Sequence, residues 1–177
     1  VSFFHGTGSF VAAKDGGYEI AVAGAKPAAL QAKQVIIATG SSARALPGAP
    51  FDEETILSND GALAIGAVPK KLGVIGSGVI GLEMGSVWRR LGADVTILEG
   101  LPTFLGAADE QIAKEAKKAF DKQGLKIEVG AKVTGYANGI LTAERGTEKL
   151  SFPADKVLVA VGRRPFTDSL NLAAAGV

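Results

Sequence analysis

Lys71-Leu-Gly-Val-Ile-Gly-Ser-Gly-Val-Ile-Gly-Leu-Glu83 decides the fold of this chain. An apolar run, Leu72 to Ile75, meets Gly76-x-Gly78-x-x-Gly81, and an amphipathic segment starts at once. A second apolar run, Val95 to Leu98, ends in Glu99, about twenty residues beyond the glycines. Strand, glycine turn, helix, strand and acid, in that order, form the arrangement that grips an adenine dinucleotide.

Each residue of the turn has a separate job. Gly76 ends the strand in a turn too tight for a side chain. Gly78 allows the backbone to reach a pyrophosphate, and Gly81 lets the helix lie close on the strand. The N–H groups along Gly76, Ser77, Gly78, Val79, Ile80 and Gly81, with the helix dipole, hold the anion without a lysine. The alternative is a glycine-rich turn with no ligand.

The helix places Ile80, Met84, Val87, Trp88 and Leu91 on one face. Arg89 and Arg90 fall in its last turn and Gly92 takes the position just past its end. Gly85, one turn after Gly81, signals close backbone packing or a tolerated weak position. Glu99 is expected to accept hydrogen bonds from the adenosine ribose. A 2′-phosphate would meet that carboxylate, and Gly100 to Phe104 offer no cation. The spacing therefore predicts NAD(H) over NADP(H). A solvated strand end is the plainer reading of Glu99.

With 47% hydrophobic and 21% charged residues, the 177-residue chain is globular rather than disordered. A net charge of +1 gives no electrostatic case for nucleic acid. No apolar run reaches the ~18 residues that suggest a membrane span. Cysteine is absent, so these residues hold no disulfide, thiolate metal site or thiol nucleophile. His5 is the one histidine and reads as a strand residue. No metal-ligand spacing, phosphate-loop lysine or nucleophile elbow is present, and no catalytic residue is assigned.

Residues 1–24 read as short strands around a Gly6-Thr-Gly8 turn and a Gly16-Gly17 turn, with Tyr18 to Val22 alternating as a strand does. Lys33 to Ala38 predicts another strand, ending in Thr39-Gly40-Ser41. Ser41 to Pro50 reads as a linker. Ser58 or Asn59 caps a short helix through Ile65. Asp109 to Gln123 predicts a helix with Ile112, Ala116, Ala119 and Phe120 on one face, stopped by Gly124. Lys126 to Val129 is the next strand. Ala131 to Phe152 predicts an antiparallel meander turning at Asn138-Gly139 and Arg145-Gly146-Thr147. Lys156 to Val161 is a buried strand followed by Gly162-Arg-Arg-Pro165. The fold class is α/β, a parallel sheet crossed by a β-meander.

The run Val74 to Thr96, together with Lys132-Val-Thr-Gly135, resembles the flavoprotein disulfide reductases, most closely the dihydrolipoamide dehydrogenases. Ile37-Ala-Thr-Gly-Ser41 and Val161-Gly-Arg-Arg-Pro165 are similar to that family's two crossovers between an FAD domain and an NAD domain. The resemblance implies a Rossmann-like NAD-binding domain over 45–155, flanked by partial FAD-domain strands over 1–44 and a return strand over 156–177. It implies that Glu83 sits near the nicotinamide, that Val133 packs on adenine, and that the Gly162 backbone meets the nicotinamide end. It also implies that Gly8, Thr39, Gly40 and Ser41 contact FAD. From the residues alone, Glu83 is equally a favourable carboxylate in a helix's first turns, and Gly8 a plain turn residue.

The family's first glycine turn, its CxxxxC pair and its C-terminal interface domain are absent. Opening at Val1 in mid-strand, the chain is expected to be the middle of a longer protein, able to bind NAD(H) but not to catalyse alone. The reaction implied for the parent is oxidation of dihydrolipoamide through a disulfide and FAD to NAD⁺. Its implied partner is a lipoyl-bearing acyltransferase complex. The parent is expected to be a homodimer in bacterial cytoplasm or mitochondrial matrix, and this piece a monomer. The alternatives are a piece of a mercuric or glutathione-type reductase and a non-catalytic nucleotide-binding module.

Overall fold

The computed structural model describes residues 1–177, and the chain divides into two compact units, Ala43–Arg163 and a smaller one of Val1–Ser42 with Arg164–Val177. The smaller unit opens with an antiparallel sheet, β1 (Thr7–Lys14), β2 (Gly17–Ala23) and β3 (Ala28–Ala32), in the order β1-β2-β3. Phe10 and Val22 are buried, and Leu170 and Ala175 join Phe10 from the chain's last turn. Gly8 lies inside β1 opposite Val22, not in a turn as expected. Residues 33–40 form no strand, against expectation. An extended run becomes a strand only where a neighbour takes its backbone bonds, and Ile36 stands 92% exposed.

Of the short strand β4 (Ser41–Ala43), the last residue opens the larger unit. There follow β5 (Ile56–Leu57), α1 (Asn59–Leu63), β6 (Lys71–Ile75), α2 (Val79–Arg90), β7 (Asp94–Glu99), α3 (Glu110–Lys122) and β8 (Lys126–Val129). A meander of β9 (Lys132–Ala137), β10 (Ile140–Arg145) and β11 (Glu148–Pro153) precedes β12 (Lys156–Val159), and β13 (Arg163–Pro165) pairs with β4. No helix is long and apolar enough to cross a membrane.

The centre is a parallel sheet in the order β5-β12-β6-β7-β8. The chain runs outward from β6 through β7 and β8, then returns to the other flank of β6 as β12. The sheet therefore reverses direction beside β6, and the crevice at the carboxyl ends of β6 and β12 is where such sheets bind ligands.

Alternation along the strands feeds two cores. Leu72 and Val74 of β6, Val95 and Ile97 of β7 and Leu158 of β12 face the helices. Ile75, Leu98, Val157 and Val159 face the meander, whose Leu141 and Ala143 are fully enclosed. Each such aliphatic side chain contributes roughly 1.5–3 kcal/mol by leaving water. A Cβ on Gly73 would come 3.0 Å from Leu141 Cδ2, so the glycine makes room for the meander. The meander turns at Asn138 and Gly139 with φ of 52° and 76°, as an Asn-Gly hairpin requires.

Both helix faces depart from expectation. In α2, Met84 and Trp88 are buried, but Val87 and Leu91 are exposed. The contact stripe runs through Gly81, Gly85 and Trp88, since a Cβ at Gly85 would lie 3.2 Å from Ile97 Cδ1. Glycine carries no apolar signal, so a periodicity count skips the residues closest to the sheet. In α3 only Ala113 is buried, while Ile112 and Ala119 are exposed. Small residues left that stripe free to rotate by one position. The segment read as a linker also packs inward: Ala49 is fully buried, and Leu46, with Phe51 just beyond the segment, covers the meander-side core. Arg89 donates to the carbonyls of Ala93 and Gln123, joining the far ends of α2 and α3.

Candidate functional site

The turn after β6 is held by contacts that leave no room for change at two positions. Gly76 has φ 105°, and a Cβ there would stand 2.5 Å from the Ala160 carbonyl oxygen. A Cβ on Gly81 would stand 2.1 Å from the Gly76 carbonyl oxygen. Backbone cannot yield at such distances, so both glycines are demanded by the protein's own packing.

Gly78 is different. It is the N-cap of α2 with φ −75° and ψ 178°, a conformation open to any residue. A Cβ there would meet nothing within 4 Å. Neither strain nor packing explains a glycine here, and the space it leaves lies at the mouth of the helix. α2 also has no side-chain cap, whereas Ser58 caps α1 and Asp109 caps α3. The first N–H groups of α2 are thus offered outward, with the positive end of its dipole.

That mouth opens on a cleft of about 810 Å³ in the larger unit. Gly76, Ser77, Gly78, Val79 and Ile80 line one side. Glu99 and Gly100 line it from the end of β7, Ala131 to Val133 from the start of β9, and Ala160 to Gly162 from the end of β12. The walls are mostly apolar, with Glu99 the one carboxylate and Lys132 the one cation among the lining residues. A roomy apolar cleft with a few convergent polar groups is the ordinary form of a cofactor site.

Glu99 is tied to the turn. Its Oε2 accepts from Ser77 N–H at 2.8 Å and from Ser77 Oγ at 3.0 Å. Its Oε1 accepts from Leu101 N–H at 2.9 Å. A carboxylate accepts about four hydrogen bonds, so capacity remains for a further donor. Two amides of the turn are taken by the protein itself, against expectation: that of Ser77, and that of Gly76, which donates to the Leu98 carbonyl at 2.8 Å.

Of the sequence-assigned residues, Gly76 to Ile80, Glu99, Val133 and Gly162 share the cleft lining. Gly81 stands behind it, packing α2 on β6. Glu83 is exposed on α2 and is not part of that lining. In the smaller unit Gly8 and Thr39 line a separate cavity of about 150 Å³. Thr39 Oγ1 donates to the Phe166 carbonyl, and Gly40 accepts from Phe166 N–H. Ser41 begins β4.

Sequence reasoning missed three contributors. The strap from Leu101 to Ala107 lines the cleft, bent at Leu105, where φ is 49°. Ala160 and Val161 line it because β12 ends beside β6, a neighbour that pattern alone does not assign. Lys132 reaches it because the Ala131 N–H bonds the Glu99 carbonyl, drawing β9 to the end of β7. The sign available in advance was position: each follows a strand end on the side where the glycine turn lies.

Residues 1–177 match the family model described as pyridine nucleotide-disulphide oxidoreductase. The chain is 52% identical to a dihydrolipoyl dehydrogenase of Cupriavidus necator, covering 100% of this chain and 38% of that protein. It is 42% identical to a mitochondrial dihydrolipoyl dehydrogenase of Pisum sativum, covering 100% of this chain and 36% of that one. Among solved structures it is similar to LpdA from Mycobacterium tuberculosis, with a TM-score of 0.81 at 25% identity, over 97% of this chain and 39% of that one. The chain thus spans little more than a third of the length of these relatives.

Proposed function

Because this chain belongs to the pyridine nucleotide-disulphide oxidoreductase family, we propose that its larger unit binds NAD(H) in the cleft at the start of α2. It would serve there as the nucleotide-binding part of a dihydrolipoyl dehydrogenase. The observation that carries this reading is Gly78: a glycine that neither strain nor packing requires, at an uncapped helix start.

The residues fit a dinucleotide in four ways. The open N–H groups after Gly78 hold the diphosphate. Glu99, already oriented by Ser77 and Leu101, accepts from the ribose hydroxyls. Val133 gives adenine an apolar wall, and the Gly162 backbone borders the end of the cleft assigned to nicotinamide. Glu83, exposed on α2 outside the lining, would act near the same nicotinamide end by its resemblance to the family's glutamate. When bound, NAD⁺ takes up the hydride; the chain's own part is to bind, orient and shield. With Lys132 in the lining, preference for NADH over NADPH is a ratio that Glu99 sets rather than an exclusion.

Gly8, Thr39, Gly40 and Ser41 would contact FAD in the whole protein. The cavity beside Gly8 and Thr39, about 150 Å³, is smaller than the ~300 Å³ at which ligand pockets begin, so these residues alone do not make a flavin site. A redox disulfide would have to come from outside residues 1–177, which contain no cysteine. For the whole protein the reading implies a homodimer serving a lipoyl-bearing acyltransferase complex, in bacterial cytoplasm or mitochondrial matrix.

Calorimetric titration with NADH and NADPH in parallel tests the proposal. Saturable NADH binding, weaker NADPH binding and a narrowed gap in Glu99→Ala are expected. Absence of binding by either nucleotide at millimolar concentration would refute it. Equal losses of both in Glu99→Ala would remove the ribose role.

A further inference from the structure

Between the glycines, Ser77 holds a position that a dinucleotide needs only for its backbone. Yet its side chain is 99% enclosed, one of only three buried polar residues in the protein. A buried hydroxyl is costly unless its hydrogen-bonding capacity is used, and here it is. Ser77 Oγ donates to Glu99 Oε2 at 3.0 Å and itself accepts from the Leu105 N–H at 3.4 Å. The Ser77 N–H bonds the same carboxylate oxygen at 2.8 Å, while Leu101 N–H holds Oε1 at 2.9 Å. The Glu99 carboxylate is therefore fixed from both sides, by the turn on one oxygen and by the strap on the other. A glutamate free on its three side-chain torsions would lose rotamer freedom on meeting a ribose; this one has already lost it.

We propose that the Ser77 hydroxyl is a positioning residue for Glu99, and that it sets how strongly the cleft prefers a 2′-hydroxyl to a 2′-phosphate. This rests on the reading of the cleft as an NAD(H) site. A carboxylate held in place accepts from a diol without reorganising. It also cannot swing away from an incoming 2′-phosphate, which would bring negative charge against it with only Lys132 in the lining to offset it. Removing the hydroxyl leaves the backbone bond, so Glu99 stays nearby but gains freedom. NADH binding should weaken while NADPH binding is spared, and the ratio between them should fall.

The test is a double-mutant cycle read by calorimetry, with NADH and NADPH titrated into wild type, Ser77→Ala, Glu99→Ala and the double variant. Ser77→Ala is expected to weaken NADH binding about tenfold, the worth of one hydrogen bond to a charged group, and to leave NADPH within about twofold. In the Glu99→Ala background the same substitution should change NADH affinity less than about twofold, because the group it positions is gone. Equal losses with and without Glu99, or a parallel loss of both nucleotides, would overturn the positioning role while leaving the cleft's assignment intact. Failure of the wild type to bind NADH would instead overturn the assignment, and this proposal with it. Ser77→Gly, which keeps the N–H and removes the hydroxyl, must reproduce the changed ratio; a ratio unaltered in Ser77→Gly also overturns the role.

Discussion

Two helices begin at the same edge of the parallel sheet, and they begin differently. Asp109 closes α3: its Oδ1 accepts from the N–H groups of Gln111 at 2.9 Å and Ile112 at 3.3 Å. Gly78 leaves α2 open, with no side chain at its cap. A cap of the first kind contributes about 0.5–2 kcal/mol over alanine, and α2 forgoes that local gain. The difference separates a helix start closed by its own side chain from one left open, which the proposed function reserves for a nucleotide. Neighbouring glycines differ in the same sense. Gly76 and Gly81 answer to the protein's own backbone, while Gly78 faces open space.

The hardest test of that division is Gly81→Ala. Its Cβ would press to 2.1 Å from the Gly76 carbonyl, so the turn must open. A loss of roughly 3 kcal/mol or more in urea-unfolding free energy is expected, with nucleotide binding lost as the turn is. Gly78→Asp should part stability from binding. The new side chain fits the cap conformation and gives α2 what α3 already has, so stability holds or rises by a few tenths of a kcal/mol. NADH affinity, measured by calorimetry, should fall about a hundredfold, since a carboxylate would stand where the proposed function seats the diphosphate. Joint loss of both would place Gly78 with the packing glycines. Asp109→Ala is the mirror image: about 1 kcal/mol of stability lost, with NADH affinity unchanged.

The smallest expected effect concerns a second closed turn. Asp52 Oδ1 accepts from the N–H groups of Glu54, Thr55 and Ile56. Desolvation by burial works against the charged form, but these backbone bonds outweigh it and hold the carboxyl below its ordinary range. Its contribution is therefore fully present above the unfolded carboxyl's pKa and is lost as pH falls through the lower, folded value. The unfolding free-energy gap between wild type and Asp52→Asn should be constant near neutrality and shrink in acid. A gap that widens on acidification would contradict the assigned sign.

The division between open and closed starts could be read only in part from the sequence. The glycine spacing located the turn, Glu99 ended the next strand as expected, and Gly124, with φ 84°, stops α3. What escaped depended on neighbours. Whether Val35 to Ala38 becomes a strand rests on a partner, not on its own side chains. The stripe of α2 ran through glycines that carry no apolar signal. Of Ser77 only the N–H was legible, because the role of its hydroxyl needs the Glu99 carboxylate 22 positions away, brought close only when β6 and β7 pair.

Arg89 ties the Ala93 and Gln123 carbonyls together with one planar guanidinium. The trailing ends of α2 and α3 thus share a clasp, though their leading ends serve unlike purposes. Fraying of either tail breaks the Arg89–Gln123 bond, so amide exchange in the two last turns is expected to be coupled. α2 is thus fastened by a side chain at its trailing end and by none at its start.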